Sequence, residues 1–191
     1  MSNGVKAALI SVAALVLAGV IIASTIISGY NRVVIMDENV KNGWAQVENQ
    51  LKRRYDLIPN LVETVKGYAA HEKGLFEDIA AARTKYFQAH TTKDKIDAAN
   101  QMEGPLSRLL LLQERYPELK ANENFLKLQD SLEGTENRIA VARKRYNDDV
   151  LALNSYIRTF MGRFYAGFAG VSEAQYYHIP AGQSEAPRVK F

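Results

Sequence analysis

The 191-residue chain contains no cysteine. This absence excludes disulfides, thiol nucleophiles, thiolate metal sites and a lipidated cysteine, and it leaves the redox compartment open. The chain has only three histidines, His71, His90 and His178, and none follows a glutamate by three residues. Helical bundles that hold pairs of metal ions use that Glu-x-x-His pattern, so we predict no metal site and no cofactor.

Catalytic motifs and concentrated basic charge are also missing. The sequence has no phosphate-binding glycine loop, no Ser-His-Asp arrangement and no nucleophile elbow. The formal net charge is +3, with 24 basic residues spread among 21 acidic ones, and basic residues adjoin only in short clusters such as Lys52-Arg53-Arg54. Nucleic-acid binding requires a strong basic patch. We therefore predict neither an enzyme nor a nucleic-acid-binding protein.

What the sequence does have is one long apolar run near its N-terminus. No charged residue occurs from Ala7 to Asn31, and residues 7–29 as a helix would span roughly 35 Å, enough to cross a bilayer core of about 30 Å. A cleaved secretory signal has a shorter apolar region of about 7–15 residues. Small residues at 23–25 keep cleavage open as an alternative. We predict an uncleaved transmembrane signal-anchor over 1–29, in a single-pass membrane protein.

The remainder of the chain has helical periodicity. Pro105 should bend the third helix, Thr92 should cap its start, and residues 115–124 should form a turn. The fourth helix has an uninterrupted heptad stripe from Leu128 to Phe160. The predicted helices are residues 30–70, 72–90, 93–116, and a last one through Phe160.

Four helices with short connections predict an all-α fold. In it, the N-terminal transmembrane helix is followed by an up-and-down antiparallel four-helix bundle with two long and two short helices. We assign residues 30–165 to this bundle. Residues 166–191, which are rich in aromatic residues, are predicted to form a partly extended C-terminal tail.

Two charged residues, Arg54 and Asp149, lie on otherwise apolar stripes. If Ala69 faces about Asn122 on antiparallel helices, Arg54 lies level with residues 133–137. A buried charge needs a partner, because unpaired burial is very costly. We predict that such pairs fix the register of the bundle. The expected partners are Glu133 or Glu136, near Asn137, for Arg54, and Lys41 or Asn42 for Asp149.

The same polar centre has a functional alternative, in which Arg54, Glu133 and Glu136 bind a ligand or carry out chemistry. Pro59 has a structural interpretation: it removes the hydrogen bond to the Tyr55 carbonyl and bends the helix.

Aromatic residues near the end of the fourth helix form a further candidate site. An antiparallel helix would return them towards the bilayer near Tyr30, and aromatic residues favour membrane interfaces. The alternative is that they pack on the base of the bundle. The predicted membrane-interface aromatics are Tyr30, Phe160, Phe164, Tyr165 and Phe168.

Two long blocks and the closing APRVKF resemble the LemA family over nearly all of residues 30–191. The blocks are YNRVVIMDENVKNGWAQVENQLKRRYDLIPNLVETVKGYAAHE and LEGTENRIAVARKRYNDDVLALN. This resemblance implies a membrane-attached, all-helical bundle in bacteria with no settled activity. A magnetosome-forming branch of the family implies a role in membrane organisation.

The chain departs from the family pattern at two places. Some relatives carry a lipoprotein cysteine before a Gly-Tyr-Asn block, where this chain has Ser28. Because the domain of lipidated relatives is exported, we expect the domain of this protein outside the cytoplasm. Relatives often have Phe-Pro where this chain has Phe160-Met161, so we expect the fourth helix to continue towards Arg163.

These observations favour a non-enzymatic, membrane-anchored helical scaffold or adaptor. Its expected partners are the lipid bilayer and another protein or a second copy of itself. A ligand-binding or enzymatic bundle is the alternative function.

Overall fold

The structure, a computed structural model, describes residues 3–178, and the regular secondary structure within that range is all helical, which confirms the all-α prediction. The segment from Val171 to His178 follows the last helix without helical or strand structure. The helices are α1 (Asn3–Lys66), α2 (Lys73–Gln88), α3 (Thr92–Arg115), α4 (Pro117–Lys120), α5 (Glu123–Ile157) and α6 (Phe160–Ala169).

Helix α1 contains the apolar run. The large apolar side chains of this run are exposed, for example Leu15 at 73% and Ile10 at 70%. Among the described residues, this is one helix long and apolar enough to cross a membrane. Exposed apolar surface of this length is suited to lipid.

The short helices α2 and α3 lie close to their predicted positions. Thr91, rather than the predicted Thr92, caps α3, and its side chain accepts a hydrogen bond from the Asp94 amide at 3.1 Å. The predicted turn after α3 contains the short helix α4, which begins at Pro117. Proline is favoured at a first helical position because it has no N–H to leave unpaired.

The predicted end of the fourth helix is wrong. Helix α5 ends at Ile157, and α6 starts at Phe160 after an N-cap at Thr159. The Thr159 hydroxyl accepts a hydrogen bond from the Gly162 amide at 3.0 Å. A Cβ at Gly162 would collide with the Tyr156 carbonyl, so the turn between α5 and α6 needs glycine there.

The predicted tail also starts too early, because residues 166–169 belong to α6. Gly170 ends this helix with a φ of 69°, a left-handed conformation that glycine adopts without strain. Residues 179–191, in the predicted tail, lie outside the described residues.

The chain divides into two compact units. The first unit contains the described residues up to Lys41 and residues Asp149–Ala174. Its small core consists of Val33, Tyr165 and Ala166, with partly buried apolar residues around them.

The second unit contains Asn42–Asp148 and the described residues from Gln175 onward. Within it, α1 and α5 run antiparallel, because residue numbers rise along one chain segment as they fall along the other at two contacts between the helices and one just beyond their ends. These contacts are Trp44–Tyr146, Arg54–Glu136 and Tyr68–Asn122. Helices α2 and α3 are also antiparallel, since Asp78 pairs with Arg108 and Lys85 contacts Gln101.

Candidate functional site

Helix α6, in the first unit, has an exposed aromatic face. Phe160, Phe164 and Phe168 are four residues apart and are 90%, 58% and 74% exposed. Residues at this spacing lie on one side of a helix. Tyr30, on α1, is 37% exposed and packs edge-on against Phe168 with ring centroids 6.2 Å apart. Three exposed phenylalanines in one row form a surface with little affinity for water.

Tyr165 differs from the other predicted interface aromatics because it is buried, with only 6% of its surface exposed. Its ring lies against Gly29 of α1, where a Cβ would overlap it. Val33 is part of the same core cluster. Tyr165 therefore anchors α6 to α1, and its prediction as a membrane-facing residue is wrong. Phe160, Phe164 and Phe168 lie outside this buried contact and stay exposed.

The second candidate site is the polar centre of the second unit, built around Arg54. The side chain is 9% exposed. Its Nη1 and Nη2 donate to the two carboxylate oxygens of Glu103 at 2.7 and 2.9 Å. Nη1 also lies 2.9 Å from Glu136 Oε2, a distance that fits an ion pair, although the geometry is not that of a hydrogen bond. A bidentate guanidinium–carboxylate pair is among the strongest polar contacts in proteins.

The electrostatics of Arg54 are set by burial and by its two carboxylates. Burial alone would lower the pKa of the guanidinium, but the hydrogen-bonded Glu103 and the nearby Glu136 raise it overall. Arg54 therefore stays charged. Its Nε has no hydrogen-bond partner among the described residues. The hydroxyl of Tyr86 is likewise buried without a partner in residues 3–178. Unpaired buried polar atoms are uncommon and require an explanation.

Sequence reasoning missed Glu103, the main partner of Arg54. Glu103 lies on α3, and an antiparallel alignment of α1 with α5 does not include that helix. Glu133 and Asn137 are both exposed, and the Glu133 carboxylate accepts from Gln129 at 3.3 Å. A search for acidic residues on every apolar-striped helix would have found Glu103.

The other predicted polar pair concerns Lys41 and Asp149, which are both in the first unit. The Lys41 ammonium lies 2.8 Å from Asp37 and 2.7 Å from Glu38, on its own helix. Asp149 is half-buried on α5. Its pairing with Lys41 or Asn42 stays a prediction.

Pro59 lies inside α1, which continues through it to Lys66. The missing proline N–H frees the Tyr55 carbonyl. Arg83 of α2 donates its Nε–H to that carbonyl at 3.4 Å and stacks on Phe87 at 4.9 Å. Arg83 therefore binds the carbonyl that the proline leaves without its helical donor.

Two asparagines that sequence reasoning missed hold the segment after α6. In the first unit, the Asn154 side chain donates to the Ala174 carbonyl at 2.9 Å and accepts from the Ala174 amide at 2.8 Å. In the second unit, Asn147 bonds Tyr177 in the same way, at 3.0 and 2.9 Å. Asparagine matches a backbone donor and acceptor at once. Asn147 and Asn154 are seven residues apart, so they lie on the same face of α5. This spacing was the sequence signal that could have identified them.

The second unit also contains the buried tyrosines Tyr146 and Tyr177. Tyr146 donates its hydroxyl proton to the Gln175 carbonyl at 2.5 Å. Burial raises the pKa of Tyr146 to about 12, and it also raises the pKa of Tyr177 to about 12. These side chains are neutral at physiological pH. Among residues 3–178, no group of three or more acidic, histidine or cysteine residues could hold a metal ion.

The fold and these sites define an all-helical, membrane-associated protein with one apolar helix at its N-terminal end. A sequence model of the LemA family matches residues 43–191. Since this match covers most of the chain, the protein belongs to the LemA family.

Named relatives are bacterial. Magnetosome protein MamQ 2 of Paramagnetospirillum magneticum is 25% identical over 196 residues, covering 88% of this chain and 72% of that protein. Magnetosome protein MamQ of Magnetospirillum gryphiswaldense is 24% identical over 196 residues, with the same coverage. Protein LemA of Metamycoplasma hominis is 24% identical over 134 residues, covering 69% of this chain and 61% of that protein. None of these names states an enzymatic activity.

Proposed function

We propose that this protein is a non-enzymatic, membrane-anchored scaffold or adaptor. It is attached to a bacterial membrane by two elements: α1 crosses the bilayer, and α6 lies in the interface. Its helical domain, organised as an up-and-down four-helix bundle outside the cytoplasm, binds a protein partner or a second copy of the chain.

The observation that carries this proposal is the exposed row of Phe160, Phe164 and Phe168 on a helix fixed to α1. Tyr165 packs on Gly29, at the end of the uncharged stretch. The row is therefore held beside the part of α1 that leaves the bilayer. Aromatic and apolar residues on one face of a short helix favour the boundary between headgroups and acyl chains.

The packing of α6 also supports an anchor that is retained. A cleaved signal would remove residues before the small residues at 23–25. Ile22, Thr25 and Ile26 border α6, so cleavage would expose part of the surface against which α6 lies.

The relatives support a role at membranes. Two of those reported above are named as magnetosome proteins. By analogy, we propose that this chain acts in organising a membrane zone or recruiting a protein to it. This step rests on family likeness, whereas the membrane attachment rests on the residues of α1 and α6.

Crosslinking in intact membranes followed by mass spectrometry tests the scaffold function. The full chain should yield reproducible links from lysines of the second unit to one partner or to a second copy. The matched variant F160S/F164S/F168S keeps α1 but should lose most of these links. Links that are spread evenly over abundant membrane proteins, and unchanged in the variant, would contradict the proposal.

A ligand-binding centre at Arg54 is the second candidate, favoured by one observation. The guanidinium is nine-tenths buried and its Nε has no partner among the described residues. Calorimetric or thermal-shift screening with small anions tests it on the full chain. A shift of the melting temperature in wild type that is lost in Arg54→Gln, and kept in Arg53→Gln, would favour this candidate. No shift with any anion would reject it.

A further inference from the structure

An apolar groove lies between α1 and the start of α6, within the first unit. Its volume is about 760 Å³. Helix α1 contributes Ile22, Thr25 and Ile26, and α6 contributes Met161 and Phe164 among other residues. A volume of this size is in the range of small-molecule sites. The α1 wall belongs to the uncharged stretch of the sequence, so the groove opens where acyl chains would lie.

Two arginines border this apolar groove. Arg158 donates Nε–H and Nη2–H bonds to the Glu173 carboxylate, both at 3.0 Å, so its charge is matched. Arg163 is exposed, and within residues 3–178 it has no ion-pair partner within 4 Å. The first turn of α6 has no acidic residue, so the positive end of its helix dipole adds to the charge. The groove therefore combines an apolar wall with unmatched positive charge.

We propose that this groove binds an anionic phospholipid. One acyl chain lies along Ile22 and Ile26, and Arg163 binds the headgroup phosphate. A guanidinium is well suited to phosphate, and its long apolar stem can lie along lipid while the charge reaches the headgroups. The inference rests on the proposed membrane attachment of α1 and α6, and it adds a lipid class to it.

The charge of the groove separates this occupant from others. A zwitterionic lipid offers the same acyl chains but no net negative charge for Arg163. A soluble phosphate compound offers the charge but nothing to cover the apolar wall of Ile22, Ile26 and Phe164. Only an anionic lipid matches both parts.

Native mass spectrometry of the full chain in detergent tests the site. The protein is mixed with equal amounts of phosphatidylglycerol and phosphatidylcholine that have identical acyl chains. We expect wild type to retain the anionic lipid about fivefold over the neutral one, the effect of about one arginine near a charged headgroup. Arg163→Gln should bring the ratio close to one, and Arg163→Lys should restore it.

Two further variants and a competitor complete the experiment. Arg53→Gln, an equal charge loss in the second unit, should retain the wild-type ratio. Ile26→Trp, which fills the groove, should lower retention of both lipids. Equal retention of both lipids by wild type, or identical ratios for Arg163→Gln and Arg53→Gln, would overturn the inference. Displacement of lipid by excess glycerol phosphate would show a soluble ligand instead.

Failure of this inference is distinguishable from failure of the proposed function. A depth probe at position 164 reports membrane attachment of α6 without reference to lipid charge. If that probe lies in the bilayer while lipid selectivity is absent, the lipid site is wrong and the attachment stands. If the probe is in water, the attachment itself fails.

Discussion

The Tyr165 ring occupies the space that a side chain at Gly29 would need. Gly29 is buried on α1 although the apolar residues before it are exposed. This contact fixes the rotation of α6 against α1, and with it the positions of the exposed Phe160, Phe164 and Phe168. The aromatic row depends on a residue with no side chain.

Gly29→Ala should therefore loosen α6. The added methyl group forces the buried ring to move, and overpacking of this kind costs about 1–3 kcal/mol. Gly19→Ala is the matched control, because nothing lies within 4 Å of a Cβ there. Hydrogen exchange of residues 160–169 in nanodiscs is the measurement. Faster exchange in the first variant alone is expected, and equal protection in both would contradict the contact.

Arg54→Gln should destabilise the second unit by about 2–3 kcal/mol, because it leaves the carboxylates of Glu103 and Glu136 without their cation. The carboxylates' partial exposure, 31% and 45% for their side chains, keeps the cost below that of a fully buried pair. Denaturant unfolding of the full chain in detergent measures it. Glu133→Gln is the control and should change the free energy of unfolding by less than about 0.5 kcal/mol. A larger effect at Glu133 would restore it as a partner of Arg54.

Pro59 and Arg83 should be energetically coupled through the Tyr55 carbonyl. In wild type, Arg83→Gln removes the donor to that carbonyl and should cost about 1 kcal/mol. In a Pro59→Ala background the alanine N–H can bond the carbonyl instead, so the same change should cost about half as much. Loss of the Phe87 stacking is common to both backgrounds and cancels in the double-mutant cycle. Additive costs would show that the long 3.4 Å bond contributes nothing.

Stability should fall in alkali because of the buried tyrosines. Burial raises the pKa of Tyr146 to about 12, against about 10 in an unfolded chain. Below about pH 10 both states hold the proton and stability is complete. Between about pH 10 and 12 the unfolded state releases the proton first, so the free energy of unfolding decreases.

Tyr146→Phe should flatten this alkaline loss. It should also cost about 1 kcal/mol at neutral pH, because the bond to the Gln175 carbonyl is lost. Unfolding monitored by circular dichroism from pH 8 to 12 gives both values. If the free energy of unfolding of Tyr146→Phe fell with pH as steeply as that of wild type, Tyr146 would not be the cause of the alkaline loss.

The sequence was most informative where one periodicity dominates. The uncharged run up to Asn31 and the heptad stripes predicted α1, α2, α3 and most of α5, because burial and length determine those elements. The predicted end of α5 was wrong because the helix end depends on the cap at Thr159 and on the space at Gly162. The spacing of apolar residues carries no information about either.

Sites were harder to predict than helices. An antiparallel alignment of α1 with α5 brought Arg54 level with Glu136, which lies 2.9 Å from it. It could not reveal Glu103, since the rotation of α3 depends on packing among several helices. Likewise, composition grouped Tyr165 with the exposed phenylalanines. Only the absence of a side chain at Gly29 separates it from them.

The depth of α6 in the bilayer tests the central claim of a second membrane attachment. Because the chain has no cysteine, a single spin label can be placed by Phe164→Cys in the full chain, reconstituted in nanodiscs. Val141→Cys, at a 52% exposed position of α5 in the second unit, is the control. Power saturation with oxygen and with a water-soluble nickel complex then reports the surroundings of each label. We predict that the label at 164 is relaxed by oxygen and shielded from nickel, whereas the label at 141 shows the reverse. Equal access of nickel to both labels would contradict the account.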